Sequence, residues 1–384
     1  MILSVKPSII IKLSGLKEIP FIIRSKRKKN DEFFIHKTMS SSDANDLIHR
    51  LNDTVVYIHK YVLPIFCIMG NIGNLISALI FSRKSWKKNV CVFYFQIYIL
   101  YSSIYVNSTV LASIVSFGFN IRLQDSNIVL CRIYIYVSIL FATLCPTVLI
   151  LASIDRLLIS SQNVDTRLYS SKRLAYFSIS LGTLFWAVFN SHALFKVNIV
   201  EYYPSFWICY YDPSKLYRNF ISYSLTGANL LFACLMVILS VIAYKNIQRI
   251  RTVRTQQRNQ IRAMKKKDFQ LLRCLFAQDI VFIIFKFWIY GLYVYEAVTK
   301  DQIQPPLELA VITFLDRFFA FLYNVSYTAN FVIFISISKV FRQEVKRMVW
   351  KMIGKDLASF REEDNRQETA EMNVVVVSHI VTQL

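Results

Sequence analysis

The chain has few of the residues that break helices and is short of acidic charge. Its 384 residues include only eight glycines, eight prolines and 24 Asp or Glu, against 45 Lys or Arg. Yet 55% of the residues are hydrophobic and the mean hydropathy is +0.40, which is more apolar surface than a soluble core could hide. Long stretches carry almost no charge, and the basic residues cluster between them. This segregation indicates a membrane protein.

The sequence also lacks what an intramembrane enzyme or a carrier would need. Its five histidines are scattered and only His192 falls within a predicted span, so clustered metal ligands or acid–base groups at helical spacing are missing. Internal repeats and interrupted half-helices, which many transporters carry, are missing too. We therefore expect no enzyme activity, no metal and no cofactor.

Seven apolar segments are each long enough to cross a bilayer. They comprise residues 57–82, 91–118, 130–159, 174–197, 216–244, 269–295 and 308–337. The sequence thus predicts an all-α membrane protein built as a seven-transmembrane helix bundle over residues 57–337.

Basic residues are concentrated in the gaps after segments 1, 3 and 5, most densely from Lys245 to Lys267. By the positive-inside rule these gaps face the cytoplasm, which puts the amino end outside and the carboxyl end inside. The 245–267 run is first a topology determinant that also meets anionic lipid, and second a surface for docking a partner. Because it lies at the membrane edge without interleaved aromatic residues, we expect no nucleic acid.

Residues 1–56 precede the first segment and are predicted to form an extracellular tail. The basic cluster at residues 24–29 is not expected outside the cell. Several charged residues and prolines interrupt the continuous apolar core that a signal peptide needs. We expect translation to begin at Met39; a mitochondrial address is the alternative. The remaining polar tail contains a glycosylation sequon at Asn52.

The order of landmarks along the third segment resembles that of the rhodopsin-like (class A) G-protein-coupled receptors. Cys131 opens the segment, Asp155-Arg156 closes it about 37 Å further on, and Cys209 follows in a later loop. In that family the first cysteine is bonded to the second outer loop, and an Asp-Arg-Tyr motif ends the helix inside. The resemblance implies a Cys131–Cys209 disulfide, with two free thiols as the alternative, and a plasma-membrane location.

Other family landmarks are present in altered form. Gly73-Asn74 is similar to the Gly-Asn pair of helix 1, and Trp186 to the tryptophan of helix 4, both of which we expect in helix packing. Asn330 begins a stretch similar to Asn-Pro-x-x-Tyr, with Phe331 in place of proline. Residues 338–352 resemble the amphipathic, membrane-surface helix 8.

Several polar groups of the family are missing from this sequence, and their absence reduces the set of ligands and ions that we expect it to bind. Segment 2 has no acid, so a bound sodium ion is not expected. Ser138 lies where amine receptors carry an aspartate, which disfavours a biogenic amine. Lys286 lies in the stretch that replaces Cys-Trp-x-Pro, near the middle of an apolar segment, where a lysine costs about 2.5 to 3.5 kcal/mol.

Such a lysine usually faces a cavity or a partner. The candidate partners are Tyr323, Asn324 and Asp316 on segment 7, or an acidic group of the ligand; the alternative is that Lys286 snorkels or bonds carbonyl groups. In the outer loops, aromatic side chains alternate with charges, including Glu201, Trp207 and Asp212. This mixture favours a short peptide, most simply a neuropeptide, as the ligand.

The resemblance implies a cytoplasmic switch that couples the ligand to a heterotrimeric G protein. Arg156 would be held by Asp155 and by Asp268 at the start of segment 6, with Asn330 part of the same core. Asp279, in the same segment as Asp268, is a candidate to pair with Asn330 through water. The alternative function is a receptor-shaped scaffold or ligand scavenger that does not signal.

Residues 353–384 are predicted to form a disordered cytoplasmic tail. They end in Val381-Thr382-Gln383-Leu384, and a hydrophobic carboxyl terminus of this type fits strand addition to a PDZ domain.

Overall fold

The computed structural model describes residues 41–87, 89–160, 169–203, 206–212, 214–254, 266–299 and 305–353. Its main elements are the helices α1 (Ser42–Phe81), α2 (Val90–Gly118), α3 (Ile128–Ser160) and α4 (Lys172–Lys196), the strands β1 (Val197–Tyr203) and β2 (Phe206–Tyr211), and then α5 (Lys215–Arg254), α6 (Lys266–Thr299), α7 (Pro306–Thr328), α8 (Asn330–Ile337) and α9 (Lys339–Met352). The predicted start at Met39 and the PDZ-binding terminus lie outside the described residues.

Helices α1 to α7 are each long and apolar enough to cross a membrane, which confirms the seven predicted segments and is compatible with an all-α membrane bundle. Most boundaries agree within a few residues, but α5 continues to Arg254 where the sequence predicted 244, and the predicted segment 308–337 is divided at Ala329 into α7 and α8. The first boundary differs most, because α1 begins at Ser42 where the sequence predicted residue 57. Residues 42–56 mix charged, polar and apolar side chains and therefore do not form a continuous apolar run.

Local sequence accounts for several helix starts. The side chains of Asn89, Ser171 and Ser338 accept hydrogen bonds from the first backbone N–H groups of α2, α4 and α9. Proline at position 306 begins α7, where its missing N–H costs nothing. Pro146 lies within α3, and the helix continues through it.

Helix α3 is the centre of the bundle: 72% of its apolar window is buried, against 17% for α4 and 22% for α5. It packs against α2, α4 and α5, while α7 packs against α6 and α1. Helices α1 and α8 approach closely at Gly73, where any side chain would overlap Phe331.

The two strands form an antiparallel hairpin that the sequence did not predict, because its residues lay in a loop between two apolar segments. We call the end of the bundle at this hairpin the hairpin end. The opposite end, at the last turns of α3, is called the Arg156 end.

Candidate functional site

The hairpin is fixed to α3 by a disulfide between Cys131 and Cys209, which confirms the predicted pairing. The Cys209 N–H also donates to Asp125 Oδ1 at 2.8 Å. On the other strand, Arg132 donates from Nε to the Val197 carbonyl at 3.0 Å. The hairpin is therefore tied down on both strands, and it covers this end of α3.

Asp125 lies in the turn before α3, outside the apolar helices. Burial raises the pKa of its carboxyl, while the hydrogen bond from the Cys209 N–H and the nearby Arg122 oppose that rise. The hydrogen bond that fixes β2 thus depends on a group sensitive to acid.

The predicted ligand residues of the outer loops lie on or beside the hairpin. Glu201 and Trp207 are opposite each other across the strands, and both are exposed. Asp212 lies 3.9 Å from Lys196, measured from Oδ2 to Nζ. These side chains face the surroundings of the hairpin end, where a polar ligand could reach them.

The predicted ligand residues within the helices are buried and mostly separate from one another. Ser138 accepts a hydrogen bond from Thr109 at 2.9 Å. Asp316 lies beside Arg317, 3.9 Å from Nε, and the Arg317 guanidinium stands over the Phe117 ring. Arg317 was not predicted as a site residue, whereas its neighbour Asp316 was.

Lys286 and Tyr323 are the predicted ligand residues that the structure brings into contact. Lys286 is 4% exposed, and its Nζ lies 3.6 Å from the ring centroid of Phe282, 4.4 Å from that of Tyr323 and 5.3 Å from that of Tyr327. Among the described residues Nζ has no hydrogen-bond partner. Of the predicted partners, therefore, Tyr323 is in contact through its ring, and Asp316 pairs with Arg317 instead.

Asn330 is the centre of a buried hydrogen-bond network that joins five helices. Its amide nitrogen donates to Asn74 at 3.1 Å and Ser102 at 3.0 Å, and its oxygen accepts from Tyr98 and Gln278, each at 3.0 Å. A further bond runs to the Tyr327 carbonyl. We call this set the Asn330 network; it includes Asn74, predicted for helix packing.

The α6 residue that reaches Asn330 is Gln278, not the predicted Asp279. The Asp279 carboxylate accepts hydrogen bonds from Ser153 at 3.3 Å and Ser240 at 3.2 Å, so it connects α3, α5 and α6. Successive side chains of a helix point about 100° apart, so Gln278 and Asp279 contact different neighbours.

At the Arg156 end, Asp155 and Arg156 form a buried ion pair, with Arg156 Nε donating to Asp155 Oδ2 at 3.2 Å. Ser170 also donates to Asp155. The predicted partner Asp268 lies in the first turn of α6, and its side chain is outside the described part of the structure.

A second restraint on α6 was not predicted. Gln270 Oε1 accepts from Ser338 Oγ at 2.9 Å and from the Val340 N–H at 3.0 Å, which fixes α6 to the junction of α8 and α9. Helix α9 is held in turn by Glu344, which pairs with Arg83 and lies 3.4 Å from Arg347. These contacts were not predicted, because Gln270 is uncharged and Arg83 belongs to the basic gap after segment 1, which was interpreted as a topology determinant.

The remaining predicted residues lie apart from these networks. Trp186 packs α4 against α5 through an edge contact with Phe232, 5.6 Å between ring centroids. Asn52 is half-buried within α1, so the sequon is helical. Glycosylation there stays a prediction.

A cavity of about 240 Å³ lies between α5 and α6. Its lining is mostly apolar and includes Lys286, Tyr290 and Asn229 among the polar residues.

No family model matches the chain, and a search of the curated proteins finds no match either.

Proposed function

We propose that the chain is a G-protein-coupled receptor of the plasma membrane, which converts the binding of an extracellular ligand, a short neuropeptide, into G-protein activation. The observation that carries the proposal is the arrangement on α3. One end of this helix is bonded covalently to an exposed hairpin, and the other holds the buried Asp155–Arg156 pair. A ligand that moves the hairpin would therefore act on the helix that carries the switch.

The contacts of α6 support a mechanism in which activation breaks the hydrogen bonds that hold this helix. Gln270 and Gln278 lie eight residues apart, about 80° around the helix, and bond α8, α9 and the Asn330 network. An outward swing of α6 would break these bonds and open the Arg156 end to the last helix of a G-protein α subunit. The ligand would need to bind that open state more tightly.

The residues at the hairpin end indicate the class of ligand. Exposed Trp207 lies opposite Glu201 there, so an aromatic surface is available beside a carboxylate, while Asp212 lies at the other end of the hairpin beside Lys196. A peptide with a cationic terminus matches this surface. The anionic lipid of the inner leaflet would meet the basic residues between α5 and α6.

The alternative is a scaffold or ligand scavenger of the same shape. It is favoured by Phe331, which occupies the place of the family's proline and packs tightly against α1 at Gly73. Such close packing would oppose rearrangement of α8.

A signalling assay separates the two. Cells would display the protein at the surface and be challenged with a neuropeptide library while G-protein activation is recorded. We expect at least one peptide to activate the protein and Arg156→Ala to abolish the response. Arg173→Ala, which changes an exposed arginine at the same end, is the control and should respond normally.

Peptide binding without activation, at normal surface expression, would contradict the receptor proposal and favour the scavenger. A response that Arg156→Ala leaves unchanged would contradict the proposed switch.

A further inference from the structure

The cavity between α5 and α6 contains two buried polar groups that lack a partner. Lys286 Nζ and the Tyr290 hydroxyl both belong to residues that line it, and neither atom has a hydrogen-bond partner among the described residues. They are four residues apart on α6, so they lie on the same face of the helix. The lining of this apolar space thus includes two residues whose buried donors lack a hydrogen-bond partner among the described residues.

The cost of leaving these donors unpaired indicates a missing acceptor. A buried ammonium without a counter-charge is strongly unfavourable, and the aromatic rings around Lys286 offset only part of that cost. Asp279, the nearest acid along α6, is seven residues away, about 10 Å along the axis, and accepts bonds from two serines. No ion pair to Lys286 is present in the described part of the chain.

The cavity opens to the outside of the bundle. Leu230, Phe287 and Val294 line it and are at least half exposed on the apolar faces of α5 and α6, where hydrocarbon chains would surround them. A Cβ atom at Gly291, which also lines the cavity, would meet no other atom within 4 Å. A ligand can therefore enter sideways, from the membrane.

We propose that this cavity binds the carboxylate end of a long-chain fatty acid, with its oxygens accepting from Lys286 and Tyr290 and its chain leaving through the opening. Two donors match the two oxygens of a carboxylate. Lys286 lies nine residues inside Tyr295, the end of the apolar window of α6, or about 13 Å deep. A single-chain acid reaches that depth, whereas the head of a two-chain phospholipid belongs at the interface.

Binding at this site can be measured on the purified protein, without a signalling assay. The full chain in phosphatidylcholine nanodiscs would be labelled with a photoreactive palmitate, and labelled peptides would be mapped by mass spectrometry. We expect saturable labelling in the residues of α5 and α6 that line the cavity. Unlabelled palmitate should compete, and methyl palmitate should not.

Four variants test the geometry. Lys286→Met should reduce affinity about tenfold or more and Tyr290→Phe about threefold, because a charge-assisted bond is the stronger one. Gly291→Phe should abolish labelling by filling the cavity. Gly227→Phe is its matched control, since position 227 on α5 also has open space around it but is not part of the lining, and it should label normally.

A stability measurement checks that the variants are folded. Without ligand, Lys286→Met should melt at least as high as the parent protein, because it removes a buried charge. Palmitate should raise the melting temperature of the parent and leave that of Lys286→Met unchanged.

Three results would overturn the proposal. These are equal competition by methyl palmitate, unchanged affinity in Lys286→Met, or labelling that maps away from α5 and α6. Competition by phosphatidylglycerol as strong as that by palmitate would show that the cavity takes a phospholipid head instead of the free acid.

Discussion

Asn330 shows how one polar residue can connect several helices inside an apolar bundle. It is fully buried, and its amide joins α8 to α1, α2 and α6 by side-chain bonds. In hydrocarbon such bonds have few competitors, although each is worth only about 1 kcal/mol. Their concentration at one side chain makes Asn330 a point at which helix movements would be coupled.

Replacing Asn330 with Ala should lower the free energy of unfolding by about 2 to 4 kcal/mol, because Tyr98, Gln278 and Asn74 would each lose a partner while buried. The loss would be read as a lower melting temperature of the purified protein. Asn107→Ala removes an exposed amide that bonds Asn71 and should change stability by less than about 1 kcal/mol. Equal effects of the two variants would contradict the role of the network.

The sequence predicted Asn330 but not the residue opposite it. Charge drew attention to Asp279, whereas the bond is made by its uncharged neighbour Gln278. The difference depends on helix rotation within the bundle, which an apolar run of residues does not specify. Lys286 was predicted to need a partner, with Tyr323 among the candidates, but the rings of Phe282 and Tyr327 beside it were not predicted.

Among the elements, α1 and α8 approach each other closely at Gly73. A Cβ atom at Gly73 would overlap the Phe331 side chain, whereas one at Gly182 in α4 would make only ordinary contact with Thr147 at 3.4 Å. We expect Gly73→Ala to destabilise the protein by about 1 to 3 kcal/mol. Gly182→Ala should be neutral or stabilising by up to about 1 kcal/mol, since alanine favours the helix.

Combining Gly73→Ala with Phe331→Gly tests the cause, because the overlap includes Phe331 Cβ. The penalty for Gly73→Ala should largely disappear in the Phe331→Gly background, as measured in a double-mutant cycle of melting temperatures. Additive effects would mean that the two positions are not coupled.

The anchoring of the hairpin should depend on pH through Asp125. Because burial raises its pKa in the folded protein, the folded state binds this proton more readily than the unfolded state, and the contribution of Asp125 to stability falls as pH rises through the folded pKa. Asp125→Asn keeps an oxygen for the Cys209 N–H and removes the titration. We expect its melting temperature to change less than that of the parent between about pH 4 and neutrality.

Hydrogen exchange of the Cys209 region gives the local control. The protection factor, which removes the intrinsic pH dependence of exchange, should be higher at the acid end of that range in the parent and remain constant in Asp125→Asn. A parent protein whose stability rises with pH over this range, relative to Asp125→Asn, would contradict the assigned direction.

At the level of elements, the sequence was most informative where the chain is uniformly apolar. The seven spans and the ends of α3 followed from composition, and the disulfide from the order of landmarks. The hairpin and the long start of α1 were not predicted, because both consist of mixed residues whose structure depends on what they pack against. Tertiary contacts decide such segments.

Across the whole molecule, the restraints on α6 are the feature most relevant to signalling. If the chain is a receptor, Gln270→Ala should raise ligand-independent G-protein activation about two- to tenfold, because it removes two bonds that hold α6 to the α8–α9 junction. Gln96→Ala removes a side chain at the same end that bonds Ser82 outside α6 and is the control. Unchanged basal activity in Gln270→Ala would show that this contact does not restrain the switch.

Helix α1 is 40 residues long and so measures about 60 Å, roughly twice the thickness of the hydrocarbon layer. Its first half packs against α7, and a π-helical stretch at Ile58–Val62 separates it from the second half. A tilt of about 10° about that stretch would move the outer end of the helix by about 5 Å. A spectroscopic label at Asp43 would therefore magnify rearrangements among the helices into a displacement large enough to measure, without any change to the residues that undergo them.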